Sequence, residues 1–235
     1  MQLFFHPGIS DNDQQVVFPK DESRHIVKVL RKKEGDILNV TNGKGFLFKT
    51  EIISVSPNQC LANIIETEKE PEPDYHLHLA VAPTKMNDWY EWFLEKATEI
   101  GVREITPVIC DHSERKVVKL ERFERVLQSA MKQSLHLSIP VLHKEILFSE
   151  FISSKIKGDK FIAHCEENEK KSLKSVLNSG SHSTILIGPE GDFSSEEIEM
   201  AISNGWVPVS LGNSRLRTET AAIVACHTAA LANEI

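Results

Sequence analysis

Thr184-Ile185-Leu186-Ile187 runs into Gly188-Pro189-Glu190-Gly191-Asp192-Phe193, and residues 206–211 run into Gly212-Asn213-Ser214-Arg215-Leu216-Arg217-Thr218-Glu219-Thr220-Ala221. Each is a short apolar run of the kind a buried strand shows, ending in a glycine-containing turn and followed by a helical pattern. Glycine lets backbone approach a ligand closely and takes positive φ at little cost. In open α/β sheets, ligands sit beyond the carboxyl ends of strands, where these turns fall. Either turn alone reads as an ordinary strand-to-helix connection. The pair, one carrying Glu190 and the other Arg217 and Glu219, reads as a ligand site within residues 183–226.

The turns also exclude ligands. There is no G-x-G-x-x-G and no G-x-x-x-x-G-K-[ST], so neither a dinucleotide fingerprint nor a P-loop is present. No Lys lies in 184–221, and Glu190 and Asp192 disfavour a phosphate there. A neutral ligand, or one cationic near Glu190, contacted largely by backbone, fits better.

At 235 residues the chain holds one large or two modest domains, and 40% hydrophobic with 26% charged residues is ordinary for a soluble globular protein. Residues 1–7 have no basic segment and no long apolar run, so no signal peptide is expected, and no run is long enough to span a membrane. Cys60, Cys110, Cys165 and Cys226 are scattered without a C-x-x-C, which fits a reduced cytoplasm and removes the zinc and thioredoxin-like readings; no metal is expected. A net charge of −7 confines any RNA-binding surface to a local patch.

Residues 21–31 read as a short amphipathic helix, with Ile26, Val27, Val29 and Leu30 on its apolar side and Arg24, Lys28 and Arg31 at i, i+4 and i+7. Two readings of that basic stripe stand: a solvated face, or a row of phosphate contacts. Strand patterns over 36–41, 45–55 and 59–66, joined by Asn42-Gly43-Lys44 and Ser56-Pro57-Asn58 turns, suggest a small barrel. Residues 68–74, charged and proline-containing, read as a linker. Strands and helices alternate beyond it. Strands are expected at 77–82, 104–110 and 160–164, and helices at 87–100, with Trp89, Phe93, Ala97 and Ile100 inward, and at 120–136. Ser194-x-x-Glu197 is a capping box. The alternation predicts an α/β domain with a largely parallel sheet.

Ile187-Gly188-Pro189-Glu190-Gly191, followed by Leu211-Gly212 and Leu216-Arg217-Thr218-Glu219-Thr220-Ala221, resembles the RsmE family, the bacterial 16S rRNA (uracil-N3)-methyltransferases of the SPOUT superfamily. The resemblance extends to His25-x-x-x-Val29-Leu30-Arg31 with Gly35-Asp36, to Lys85-Met86-Asn87-Asp88-Trp89, to residues 95–102, to Ser113-Glu114-Arg115-Lys116 and to Lys132-Gln133-Ser134, and so covers nearly the whole chain. It implies a PUA-like β-barrel RNA-binding domain at residues 1–70 and, at 74–235, an α/β SPOUT methyltransferase domain with a deep C-terminal trefoil knot. It also implies S-adenosylmethionine as cofactor, 16S rRNA of the small ribosomal subunit as partner and a cytoplasmic homodimer.

On that resemblance, His164, Ile187, Gly188, Pro189, Glu190, Gly191, Leu211, Gly212, Leu216 and Thr218 bind the cofactor, with adenine held mainly by backbone. Arg217 and Glu190 are the catalytic candidates: Arg217 to stabilise charge on the uracil carbonyl oxygens, Glu190 to orient a loop, the sulfonium or the base. Arg24, His25, Lys28, Arg31, Lys85, Arg115 and Lys116 are the implied RNA contacts, and Gln133 supports the site. Three departures stand out: Asp192 replaces a family glycine, Ser214 the first family arginine of its loop, and Arg215 an aliphatic residue. Asp tolerates positive φ better than most residues, so the Asp192 turn can survive. His136 stands where an arginine is common. His164 and Cys165 are adjacent strand positions that point apart, which argues against hydrolase chemistry. Residues 220–233 are apolar around almost the whole helix, as for a helix buried either in its own core or against a second copy. The alternative functions are a non-catalytic RNA-binding protein that uses the N-terminal barrel alone and, from the α/β pattern, a nucleotide-dependent oxidoreductase; the intact loops oppose the first and the missing glycine fingerprint the second.

Overall fold

Strand alternation and helical periodicity build two units in a computed structural model that describes residues 2–166 and 169–233, so the outermost ends of a division at 1–70 and 74–235 lie outside the described residues. One unit is Met1–Glu72 with Met131–Ile139; the other is Pro73–Ala130 with Pro140–Ile235.

In the first unit, β1 (Leu3–Phe5), β2 (Gln15–Val17), β3 (Ile37–Thr41), β4 (Phe46–Ser54) and β5 (Leu61–Lys69) form one sheet ordered β1-β3-β4-β5-β2. Only β1–β3 is parallel. The edge strands close on each other through side chains: His6 Nε2 lies 3.1 Å from the Val17 carbonyl, and the Phe4 and Phe18 rings meet edge-on at 6.0 Å. Phe4, Phe18, Ile26, Leu38, Val40, Phe48 and Ile52 fill the interior. The Asn42 side chain accepts the Lys44 amide across a turn in which Gly43 has φ 76°, as the Asn-Gly pair predicts. Residues 131–139 belong here because they are hydrogen-bonded to that turn: Gly45 N–H donates to Leu137 O at 3.0 Å and Ile139 N–H to Gly43 O at 2.9 Å.

The helix expected over 21–31 is shorter and changes pitch. α1 (Lys20–Arg24) passes into a π turn, His25–Val29, in which Leu30 N–H donates to His25 O at 3.0 Å. The wider turn keeps Ile26 buried but carries Val29 out to 68% exposure, so Val29 leaves the apolar side. Arg31, at φ 55°, lies past the helix end.

In the second unit, the sheet comprises β6 (His76–Val81), β7 (Glu104–Ile109), β8 (Val141–Leu142), β9 (Ile146–Leu147), β10 (Asp159–Ala163), β11 (Lys171–Ser172), β12 (His182–Ile187) and β13 (Val207–Ser210). Its main path is β11-β13-β10-β12-β6-β7-β8, with β9 also on β7, and every pairing is parallel. The helices are α2 (Asn87–Ile100), α3 (Leu120–Ser134), α4 (Phe148–Ser153), α5 (Leu173–Val176), α6 (Ser195–Ser203) and α7 (Thr218–Asn233). The two-residue strands and the short helices α4 and α5 lack enough periods to be read from sequence. Both sheet faces are covered, as apolar parallel strands require. α4 and α6 bring Phe151, Ile152, Ile198 and Ala201 onto one face, against Ala80, Val108, Ile162 and Leu186. α2 and α7 bury Tyr90, Phe93, Leu94, Ala97, Ala222, Ala225, Cys226 and Ala229.

Two helix faces differ from expectation. In α2 the buried apolar set is Tyr90, Phe93, Leu94 and Ala97, the i, i+3, i+4, i+7 stripe, while Trp89 remains 46% exposed. In α7 one face is buried, but Ile223 and Val224 are only partly covered and Leu231 is 52% exposed. Among the described residues no helix is long and apolar enough to cross a membrane.

The capping box of α6 is extended by one further bond. Glu197 N–H donates to Ser194 Oγ at 3.2 Å, Ser194 N–H to Glu197 Oε2 at 2.9 Å, and Asp111 N–H to Glu197 Oε1 at 3.0 Å. Burial raises the Glu197 carboxyl above its ordinary pKa. Glu197→Ala strands two backbone donors, so urea denaturation should show a loss of about 2–3 kcal/mol, and Glu197→Gln, which keeps one acceptor, a smaller loss. An unchanged midpoint for Glu197→Ala would contradict this role.

Candidate functional site

The carboxyl ends of β10, β12 and β13 converge on two adjoining cavities. One, of 360 Å³, is lined by Ile187, Gly188, Pro189, Glu190, Arg217 and Thr218 among others. The second, of 340 Å³, is lined by His164, Lys170, Leu211, Gly212, Asn213 and Ser214 among others. Ala163, Cys165, Arg215, Leu216 and Ala221 border both. Each is large enough for part of a nucleoside-sized ligand.

Local bonds hold the first turn in place. Thr218 Oγ1 donates to the Gly188 carbonyl at 2.9 Å, fastening the first residue of α7 to the end of β12. Gly188 has no room for a side chain: a Cβ there would meet the Phe193 ring at 2.9 Å. Asp192 adopts φ 64° and turns its carboxylate onto the Cys165 amide at 2.7 Å, joining this turn to the segment after β10. His112 Nδ1 lies 3.1 Å from the carbonyls of both Gly191 and Asp192. Glu190 Oε1 accepts the Lys85 N–H at 2.9 Å, and Arg115 donates to the carbonyls of Thr84 and Lys85 at 3.2 and 2.7 Å. The carboxylate of Glu190 therefore holds the turn that precedes α2.

The second turn is open. At Gly212, φ is 139° and a built Cβ meets nothing within 4 Å, so glycine is required there by backbone conformation and not by crowding from the protein. Lys170 Nζ clamps the 164–166 segment through the carbonyls of His164 and Glu166, at 2.7 and 2.8 Å. His164 is 6% exposed, and among the described residues neither ring nitrogen has a hydrogen-bond partner. Burial, followed by the nearby Lys170 charge, lowers its pKa, so the ring is neutral, with one donor and one acceptor unused. A buried polar group without a partner is costly, and a ligand that supplies one is the physical remedy.

The structure thus brings His164, Ile187, Gly188, Pro189, Glu190, Leu211, Gly212, Leu216, Arg217 and Thr218 together, with Gly191 at the back of the first turn against His112. Lys85, Arg115 and Lys116 line a separate cavity of 370 Å³ with Glu114 and Val117, where Lys85 Nζ pairs with Glu114 at 2.8 Å. Arg24, Lys28 and Arg31 are exposed in the first unit, with His25 part-exposed 3.9 Å from Glu22. Trp89, expected inward from the sequence, instead lies outside the core with its ring 5.8 Å from the Arg217 guanidinium carbon. Its position one residue before the Tyr90 stripe is the signal that places it outside. The Lys170 clamp had no local signal.

The family model for an RNA methyltransferase domain matches residues 70–230, and that for an RNA methyltransferase PUA domain matches residues 18–65. The ribosomal RNA small subunit methyltransferase E of Rickettsia conorii is 31% identical over 230 residues, which span 95% of this chain and 92% of that protein. A crystal structure described as a probable rRNA-methyltransferase, from Porphyromonas gingivalis, shares 40% identity with a TM-score of 0.91, over 98% of this chain and 99% of that one. The ribosomal RNA small subunit methyltransferase E of Neisseria gonorrhoeae, solved with S-adenosyl methionine, shares 27% identity with a TM-score of 0.83, over 96% and 95%. A SPOUT-type α/β fold preceded by a PUA domain, with its turns intact at the strand ends, accounts for both family matches, and the chain belongs to the ribosomal RNA small subunit methyltransferase E family.

Proposed function

We infer that this chain transfers a methyl group from S-adenosylmethionine to N3 of a uridine in 16S rRNA. The observation that carries the reading is the cavity pair at the strand ends, where an unpartnered buried His164 and an open Gly212 leave a ligand-shaped requirement. Backbone at 187–191, at 211–212 and at Leu216 would hold the adenine, with His164 supplying a polar contact and Thr218 keeping the Gly188 carbonyl in place. The cofactor supplies an electrophilic methyl group on a sulfonium. Uracil N3 becomes a nucleophile only after losing its proton, and a guanidinium beside the carbonyl oxygens favours that anion. Arg217, which lines the first cavity with its guanidinium over the Trp89 ring, is the candidate for this role. Glu190 acts by positioning, through the Lys85 amide.

The same reading gives the 1–70 domain, with Arg24, His25, Lys28 and Arg31, and the 74–235 domain, with Lys85, Arg115 and Lys116, the RNA phosphates to contact. It places the protein in the cytoplasm. Insertion of β12 between β6 and β10, followed by the return of α7 onto α2, supports a trefoil knot. The open apolar side of α7, with Leu231 exposed, supports a homodimer.

Mass spectrometry of 16S rRNA nucleosides tests the activity. Cells with the wild-type protein should contain N3-methyluridine, and the purified Arg217→Ala protein should methylate 16S rRNA at least about tenfold more slowly than wild type, the rate factor of about 1.4 kcal/mol of lost transition-state stabilisation. N3-methyluridine that is independent of the gene would overturn the assignment. Light scattering should give twice the 26.5 kDa chain mass, and Leu231→Glu should shift the protein toward one chain mass. A wild-type protein of single-chain mass would exclude the dimer.

A further inference from the structure

At the amino-terminal ends of the central strands, opposite the turns of the candidate site, one sheet face changes from apolar to polar. Alternation puts His76 and His78 of β6 on the face that carries Ala80 and Ala82, Glu104 and Thr106 of β7 on the face of Val108, and His182 and Thr184 of β12 on the face of Leu186. Register aligns them: His182 pairs with His76, Thr184 with His78, and His78 with Glu104. His143, just after β8, joins from the side. A cavity of 470 Å³ opens there, bounded also by Phe151, Ile156 and lysines.

Imidazoles converge on one carboxylate. Glu104 Oε1 lies 2.7 Å from His76 Nε2, and Oε2 lies 2.8 Å from His143 Nε2. His78 Nε2 lies 2.8 Å from Thr106 Oγ1, a contact that orients the ring and leaves its other nitrogen uncommitted. One donor atom each from His78, Glu104 and His143 lies within 4.8 Å of the others. Hydrogen bonds to His76 and His143 satisfy Glu104, and the bond to Thr106 engages only one of the two nitrogens of His78.

We propose that His78, Glu104 and His143 bind a divalent transition-metal ion of the zinc class, in a site independent of methyl transfer. Two imidazoles and a carboxylate, with the fourth position open to a cavity, form a nitrogen–oxygen donor set suited to zinc. Calcium and magnesium require more oxygen donors than this set provides. His76 and Thr106 act as outer partners that orient the ligands. The ion would tie β6 and β7 to the segment after β8, residues 78, 104 and 143 being too far apart for any sequence spacing to reveal. Lys144, Lys155 and Lys157 make an inorganic anion the competing occupant.

The test uses the full chain, stripped with a chelator, loaded with zinc chloride and desalted. Elemental mass spectrometry should find about one zinc per chain, and competition with a chromophoric chelator should show His143→Ala and Glu104→Gln each weakening binding by at least about tenfold. Cys165→Ser, which removes the exposed thiol, should leave zinc binding unchanged. Cobalt(II) in the wild-type protein should give the visible bands of a four-coordinate nitrogen–oxygen site, a readout that needs no variant to fold. No retained zinc, equal retention by His143→Ala, loss with Cys165→Ser, or phosphate binding without metal binding would each overturn the proposal.

Discussion

The hydrogen bond from Thr218 Oγ1 to the Gly188 carbonyl holds the candidate site in one piece. Both residues are at turning points, Gly188 just past β12 and Thr218 at the start of α7. Thr218 is 4% exposed, so the bond is made away from water, where an unpaired carbonyl would be costly. With it in place, Glu190 and Arg217 border one cavity although twenty-seven residues apart in sequence. Around it, Asp192 fixes the 164–166 segment through the Cys165 amide and Glu190 fixes the turn before α2 through the Lys85 amide. Acidic side chains here accept from backbone donors of neighbouring loops, so their charge is directed at the loops as well as at the cavity.

Much of this was legible in the sequence. The two glycine turns, the strands that feed them and the parallel alternation follow from period and composition. Helix α2 occupies 87–100 as read, closed by Gly101 at φ 106°, and the Ser194–Glu197 capping box is present as the motif predicts. Asp192 adopts a positive φ, because Asp tolerates that region and its carboxylate gains a partner there.

What was not legible depends on long-range contact. Nothing local marks residues 131–139 as part of the first unit; they join it through hydrogen bonds to the 41–45 turn. The π turn at His25–Val29 breaks the 3.6-residue period, so Val29 and Arg31 fall where α spacing does not put them. Trp89 is apolar in composition yet lies outside the core stripe, against Arg217. The face of α7 read as buried all round is buried on one side within a single chain. The histidine cluster comes from three strands and a loop: register aligns the strand residues, and His143 joins them from the segment after β8.

Cofactor binding here requires the turns after β12 and β13 to form one site. Amide hydrogen exchange with and without S-adenosylmethionine tests it most directly, because it reports protection residue by residue. Exchange should slow at 187–192 and 211–218, with the amides of His76, His78 and Glu104 at the opposite strand ends unaffected. Protection confined to other segments, or none at either turn under saturating cofactor, would contradict it.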